Sequence, residues 1–254
     1  MKIVSYNVNG IRAAMTKGLV DWVAAGDFDI VCLQETKASP EQVDMAPFEA
    51  LGYQHYWCSA EKKGYSGVAI LTKETPKQVI YESGLTAFDK EGRIIRADFE
   101  DFTILNCYFP SGTSGDERQD FKIVFLNQFF EFAQALRTTN PNLIIVGDYN
   151  IAHTEIDIHD PKSNKNSTGF LPEERAWMSK WFGSGFSDAY RSTNPEKVEY
   201  SWWSYRAGAR ANNKGWRIDY QSFSESIADK VTKVYHDNEA KHSDHCPVVV
   251  EATF

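Results

Sequence analysis

Side chains that can bind a cation or move a proton recur at the ends of apolar runs in this chain. Asn7 and Asn9 close IVSYNVNG, Glu35 closes DIVCLQET, Tyr108 closes TILNCYFP, and Asp148 and Asn150 follow NLIIVG. Asp219 lies inside WRIDY, and Ser243, Asp244 and His245 precede CPVVVEATF. Taken singly, each is most often a turn or a cap, because Asn, Asp and Ser hydrogen-bond their own backbone. Taken together they would furnish one rim of a sheet, where binding and catalytic groups collect. Carboxylate and amide oxygens are hard ligands that suit Mg²⁺ or Mn²⁺ better than zinc, and the single histidine among them argues against a multi-histidine centre. There is no G-x-S-x-G and no P-loop, so serine-hydrolase and nucleotide-triphosphatase chemistry have no support. A divalent cation with Asp, Asn and His suits hydrolysis of a phosphate ester. The cation offsets phosphate charge, a carboxylate orients or deprotonates water, and His or Asn donates to the developing negative charge.

Positioning such residues needs many strands. Runs rich in Val, Ile, Phe and Tyr predict strands at 3–7, 29–34, 53–58, 67–71, 78–81, 94–99, 103–108, 143–146, 200–203, 217–222, 230–234 and 248–252. Helical periodicity is clearest over 116–136, where Phe121, Val124, Phe125, Phe129, Phe132 and Leu136 trace an apolar stripe. A second helix is predicted after Pro172, with Glu173 and Glu174 suiting its positive N-terminal end; others are predicted at 18–25 and around 40–51. This pattern predicts an α/β fold with sheets packed face to face and helices outside. No linker or repeat interrupts it, so residues 1–254 are expected to form a single catalytic domain.

The bulk properties bound the function without naming it. A net charge of −8 argues against wholesale electrostatic binding of nucleic acid but permits a local basic face. No apolar run is long enough to span a membrane, and MKIVSYNVNG opens as a strand rather than a signal peptide, so the chain is expected to stay in the cytoplasm. Cys32, Cys58, Cys107 and Cys246 form no C-x-x-C pair and are expected to be buried thiols.

The motifs SYNVNGIRA, LQETK, GYSGVAILTK, YFPSG, GDYNIAH, GFLPEER, GWRIDY and HSDHCPV occur in order along nearly the whole chain. In this the chain resembles the exonuclease III-type apurinic/apyrimidinic endonucleases of the DNase I-like superfamily. The resemblance implies a four-layer α/β sandwich of two mainly antiparallel β-sheets with helices on both outer faces. It implies Mg²⁺ (or Mn²⁺) as cofactor, with Glu35 as principal ligand and Asn7 and Asp244 in support. Asp148 would orient or activate water with help from Asn150, His245 would bind the scissile phosphate with Asp219 holding its ring, and Tyr108 would contact the phosphate. Asn9, Arg12, Lys37, Lys63, Tyr65, Asn164 and Arg206 would meet DNA, and Trp202 and Trp216 would wall a pocket for an abasic sugar turned out of the stack. The implied substrate is double-stranded DNA with abasic sites or blocked 3′ ends, cut 5′ to the lesion to leave a 3′-hydroxyl, by a monomer of minimal bacterial type.

Three positions depart from the family pattern. Asn9 stands where some relatives carry Asp, which weakens any second-metal scheme. Ser111 follows YFP where some relatives use Asn or Gln, and Gln221 follows RIDY where an apolar residue is more usual. Two rival readings fit less of the sequence. A phosphoinositide phosphatase or sphingomyelinase-like enzyme would share the core but not GWRIDY or GFLPEER. A binding module with a dead site would have lost at least one of Glu35, Asp148, Asn150, Asp219 and His245.

Overall fold

The computed structural model describes residues 1–254. Its strands are β1 (Lys2–Asn7), β2 (Ile30–Gln34), β3 (Gln54–Cys58), β4 (Val68–Thr72), β5 (Gln78–Ile80), β6 (Ile94–Asp98), β7 (Thr103–Tyr108), β8 (Leu143–Asp148), β9 (Phe186–Asp188), β10 (Asp219–Ser224), β11 (Val231–His236) and β12 (Val248–Ala252). They form two six-stranded sheets, ordered β11-β12-β1-β2-β4-β3 and β5-β6-β7-β8-β10-β9. Each sheet is antiparallel except for one central parallel pair, β1 with β2 and β7 with β8.

Alternation along each strand builds the layers. In β1, Ile3 points into the layer between the sheets with Ile30, Val68, Ile104, Ile144 and Val250, while Val4 points outward. Outside the first sheet, Leu19, Val23 and Phe48 come from helices Leu19–Gly26 and Ala46–Ala50. Outside the second, Phe125, Phe129, Trp177 and Trp181 come from helices Asp116–Thr139 and Pro172–Phe182. Central strands are therefore covered on both faces and read as continuous apolar runs. The four cysteines are free and buried, as expected. No helix is long and apolar enough to cross a membrane.

The structure departs from the sequence reading in several places, among them the short helices Ile11–Thr16, Thr86–Asp89, Pro161–Asn164 and Ala189–Thr193, which that reading did not foresee. The segment 200–203 is not a strand of either sheet; it is held by bridges from Trp202 to Trp216 and to His245. Phe186–Asp188 is a strand, too short to show a period. The helix expected around 40–51 is broken into a single turn at Pro40–Gln42 and a helix at Ala46–Ala50. The long helix is rotated from its predicted phase: Val124 is 49% exposed, while Lys122 is fully buried beside Phe125 and Phe129.

Candidate active site

The two parallel pairs place four strand ends on one rim. Carboxyl-terminal ends of β1 and β2 bring Asn7, Gln34 and then Glu35; those of β7 and β8 bring Tyr108 and Asp148. β10 runs antiparallel to β8 with Asp219 opposite Asp148, so Asp219 enters the same rim from the start of its strand. β12 runs antiparallel to β1, with Val248 opposite Ser5, so His245 arrives there just before its strand begins.

The side chains converge. Single ligand atoms of Glu35, Asp148 and His245 lie within 4.8 Å of one another. Asn7 Nδ2 donates to Glu35 Oε1 at 2.9 Å and to Asp148 Oδ2 at 2.8 Å, tying a carboxylate of one sheet to a carboxylate of the other. Its Oδ1 accepts from the Asn9 backbone N–H at 3.0 Å. His245 Nδ1 lies 2.9 Å from Asp219 Oδ2, and its Nε2 lies 3.8 Å from Asp148 Oδ2. An imidazole held through Nδ1 presents Nε2 to the cleft.

The backbone is bent to make this possible. Asn9, Glu35, Lys37 and Asn150 have φ of 45°, 50°, 51° and 53°, a left-handed region that residues other than glycine seldom occupy. The turn after β2 is pinned by Thr36 N–H to Gly67 C=O and Lys37 N–H to Ser66 C=O. Gly67 is required there: it has φ +87°, and a Cβ on it would lie 2.4 Å from Thr36 Oγ1.

Burial sets the electrostatics. Asp148 is driven up from the usual carboxylate range by burial and then by the charges of Asp219 and Glu35, against the pull of His245. Burial alone would hold His245 neutral, but Asp219, Asp148 and Asp244 outweigh it and raise the ring to about 10. At neutral pH the imidazole is therefore charged and donates from both nitrogens. Burial and the Glu35 carboxylate push the Tyr108 hydroxyl up, so it stays a neutral donor.

A cleft of about 450 Å³ opens on these groups. Glu35, Tyr108, Asp148, Asn150, Asp244 and His245 line its floor and sides, with Trp202, Trp216 and Ile218 as an apolar wall. Ser111, Thr113, Ser167 and Thr168 add a run of hydroxyls. Of these four only Ser111 stood out in the sequence; the others sit in Ser/Thr-rich loops that carry no periodic signal.

Several expected residues have their polar atoms engaged by other protein groups or lie outside the cleft. Asp244 has both oxygens engaged, by Asn9 Nδ2 at 2.9 Å and Trp202 Nε1 at 3.0 Å. Lys37 Nζ pairs with Glu35 Oε2 at 2.9 Å and also donates to Asn9 Oδ1. The Tyr65 hydroxyl is surrounded by Arg93, Arg118 and Glu91, and the Arg93 guanidinium lies 4.8 Å over the Tyr108 ring. Asn164 spends its amide on the carbonyls of His159 and Asp160. Arg12, Lys63 and Arg206 are exposed and outside the cleft lining. Arg210 donates to the carbonyls of Ser243, Asn238 and Ala240 and so braces the loop that carries His245.

One contributor left no trace in the sequence. Ser201 is fully buried; its hydroxyl donates to Asp219 Oδ2 at 2.6 Å and accepts from the N–H groups of Ile218 and Asp219. It fixes the carboxylate that orients His245. Gln221, the unusual residue after RIDY, is buried and donates to the Val248 carbonyl at 2.6 Å, a link from the second sheet to the first.

Comparison with known proteins agrees with this geometry. Residues 4–245 match the model of the Endonuclease/Exonuclease/phosphatase family. The chain is 42% identical to an exodeoxyribonuclease of Bacillus subtilis, covering 98% of each. It is 39% identical to a DNA-(apurinic or apyrimidinic site) endonuclease of Dictyostelium discoideum, over 98% of this chain and 70% of that one. Among solved structures it is similar to the Neisseria 3′ phosphatase NExo bound to a product DNA hairpin, with a TM-score of 0.93 at 27% identity over the whole of both chains. It is also similar to an AP endonuclease from Archaeoglobus fulgidus, with a TM-score of 0.90 at 29% identity over the whole of both chains.

Proposed function

Because the chain belongs to the Endonuclease/Exonuclease/phosphatase family, in its exonuclease III-type AP endonuclease branch, we propose that it is a DNA-repair nuclease hydrolysing the phosphodiester 5′ to abasic sites. It leaves a 3′-hydroxyl, and the same site removes blocked 3′ ends and nucleotides as a 3′-phosphodiesterase and 3′→5′ exonuclease. The observation that carries this reading is the convergence of Glu35, Asp148 and the Asp219-backed His245 in one cleft beside an apolar tryptophan wall. Both sheets supply the site, so residues 1–254 act as one catalytic domain, as a cytoplasmic monomer.

The donor set fits a hard divalent cation, Mg²⁺ or Mn²⁺: the carboxylates of Glu35 and Asp148 face the cleft, with no thiolate near them. Glu35 would hold it, with Asp148 and His245 near and Asn7 fixing the spacing of the carboxylates. When bound, the cation would supply positive charge that offsets the phosphate and favours the ionised form of nearby carboxylates, Asp148 included. Asp148 takes a proton from the attacking water, which Asn150 helps to place; as the water oxygen bonds to phosphorus the P–O3′ bond breaks, and the 3′-oxygen leaves as a hydroxyl on taking a proton from solvent. His245 donates from Nε2 to a phosphate oxygen, Asp219 keeps the ring charged, and Tyr108 donates a further hydrogen bond. Trp202 and Trp216, with ring centroids 6.1 Å apart, close round a sugar that has no base. Asn9, Arg12, Lys37, Lys63, Asn164 and Arg206 are assigned to the DNA-facing surface, with Tyr65 behind Tyr108.

The test is cleavage of a labelled duplex carrying one abasic-site analogue, beside intact and 3′-phosphate duplexes, with Mg²⁺ and with EDTA. A Mg²⁺-dependent nick on the 5′ side of the lesion supports the reading. Inert duplexes with turnover of a phosphoinositide would move the assignment to the lipid phosphatases of the superfamily. For Glu35→Ala, the Mg²⁺ concentration giving half-maximal activity is expected to rise by about tenfold or more, as for lost groups around catalytic metals. An unchanged metal titration removes Glu35 from the ligand role.

A further inference from the structure

The GFLPEER motif supplies no side chain to the reaction above, yet its Glu174 is fully buried and paired with the fully buried Lys122 at 2.5 Å. Such pairs are a poor route to stability, since desolvating both ions offsets most of their attraction and apolar replacements often serve as well. The surroundings point elsewhere. Lys122 Nζ also donates to the Asn150 carbonyl at 2.8 Å, gripping the left-handed turn that follows Asp148. Glu174 Oε2 accepts from the N–H groups of Gly169 at 2.6 Å and Leu171 at 3.0 Å. Gln119 Nε2 donates to Glu174 Oε1 at 3.2 Å, while Gln119 Oε1 accepts from Thr168 Oγ1 at 2.6 Å. Ala152 N–H closes the loop onto the Gly169 carbonyl at 2.8 Å.

We propose that Lys122, Glu174 and Gln119 form a positioning unit that sets the distance between the hydroxyl wall at 167–168 and the Asp148–Asn150 turn. It joins three segments that share no strand: the helix Asp116–Thr139, the turn after β8, and the segment leading into Pro172–Phe182. Ser167 and Thr168 face the cleft from one side and Asp148 and Asn150 from another, so a phosphodiester between them is gripped at a spacing these three residues dictate. Gly112 belongs to the same arrangement, because a Cβ there would lie 1.8 Å from Gln119 Oε1 and 2.4 Å from Thr168 Oγ1. The proposal deepens the nuclease reading and rests on it for its catalytic consequence.

The experiment pairs turnover with a structural readout. In Lys122→Met/Glu174→Gln the glutamine keeps an acceptor for the backbone N–H groups while the ionic link to Asn150 is gone. Its kcat on the abasic duplex is expected to fall by about tenfold to a hundredfold with DNA affinity nearly unchanged, the mark of misplaced reacting groups. Gln119→Met and Gly112→Ala leave the charges paired, so they decide the matter should the double variant fail to fold; each is expected to lose about threefold or more in kcat. Amide exchange at Gly169 and Leu171 reads the unit without turnover and is expected to accelerate in the variants. Unchanged exchange, or faster exchange with wild-type kcat, overturns the proposal. A wild-type protein inert on DNA overturns the nuclease reading instead, and exchange then still decides whether the unit holds the segment.

Discussion

Asp148→Asn is expected to lower kcat on an abasic duplex by about three orders of magnitude, within the range for loss of a positioned general base. The carboxylate accepts from Asn7 Nδ2 through one oxygen and from the Asn150 N–H through the other. An asparagine can accept at only one of these positions and presents an NH₂ to a donor at the other. Chemistry is therefore lost together with one of these two contacts. DNA affinity is expected to hold or rise, since removing a carboxylate lessens repulsion of phosphate. Single-turnover cleavage and a binding isotherm on the same duplex separate the two effects, and wild-type turnover would strip Asp148 of its role with water.

The second large effect concerns His245 and its partner. His245→Ala is expected to cost about 10²–10³ in kcat, the scale for removing one donor to a developing anion. Asp219→Asn leaves the ring in place but removes the strongest of the three carboxylate charges that outweigh its burial. The imidazole is then expected to titrate below its wild-type value. A pH–rate profile separates the two. Wild type should keep its donor to higher pH than the variant, whose alkaline limb is expected to move to lower pH. Overlapping alkaline limbs would show that Asp219 does not govern this proton. The linkage has a definite sign for stability. The folded pKa of His245 lies above the unfolded one, so the pair's contribution is complete below about 6.5 and is lost as pH rises toward the folded value.

The site was legible in the sequence where chemistry and strand patterning coincide. Glu35, Tyr108, Asp148 and His245 each follow or precede an apolar run, and the structure brings all four to one cleft. What the sequence could not show was which atoms are already occupied. Asp244 and Arg210 look available as residue types, yet their polar atoms are engaged by Asn9 and Trp202 and by three carbonyls. Ser201 was invisible because a serine next to tryptophans has no pattern of its own; only the register of 200–203 against 216–218 gives its hydroxyl work. The fold followed the same division. Layers were readable from alternation, whereas Phe186–Asp188 was too short, and the helix phase was misjudged because Lys122 is a charge taken inside. Tertiary pairing overrode the local preference of that residue.

The placement of β12 also governs when the protein acquires its activity. β12 lies between β1 and β11, so the first sheet is complete only when residues 248–252 have paired with β1 near residues 2–5. His245 and the β1–β12 pairing come from the final dozen or so residues, while Asn7 and Glu35 come from the first segment. Closing that gap is the longest-range contact the chain makes, and contacts of such separation form late. A chain in which this pairing has not closed therefore holds Asp148 without its histidine, and the site stays incomplete until the two ends of residues 1–254 have met.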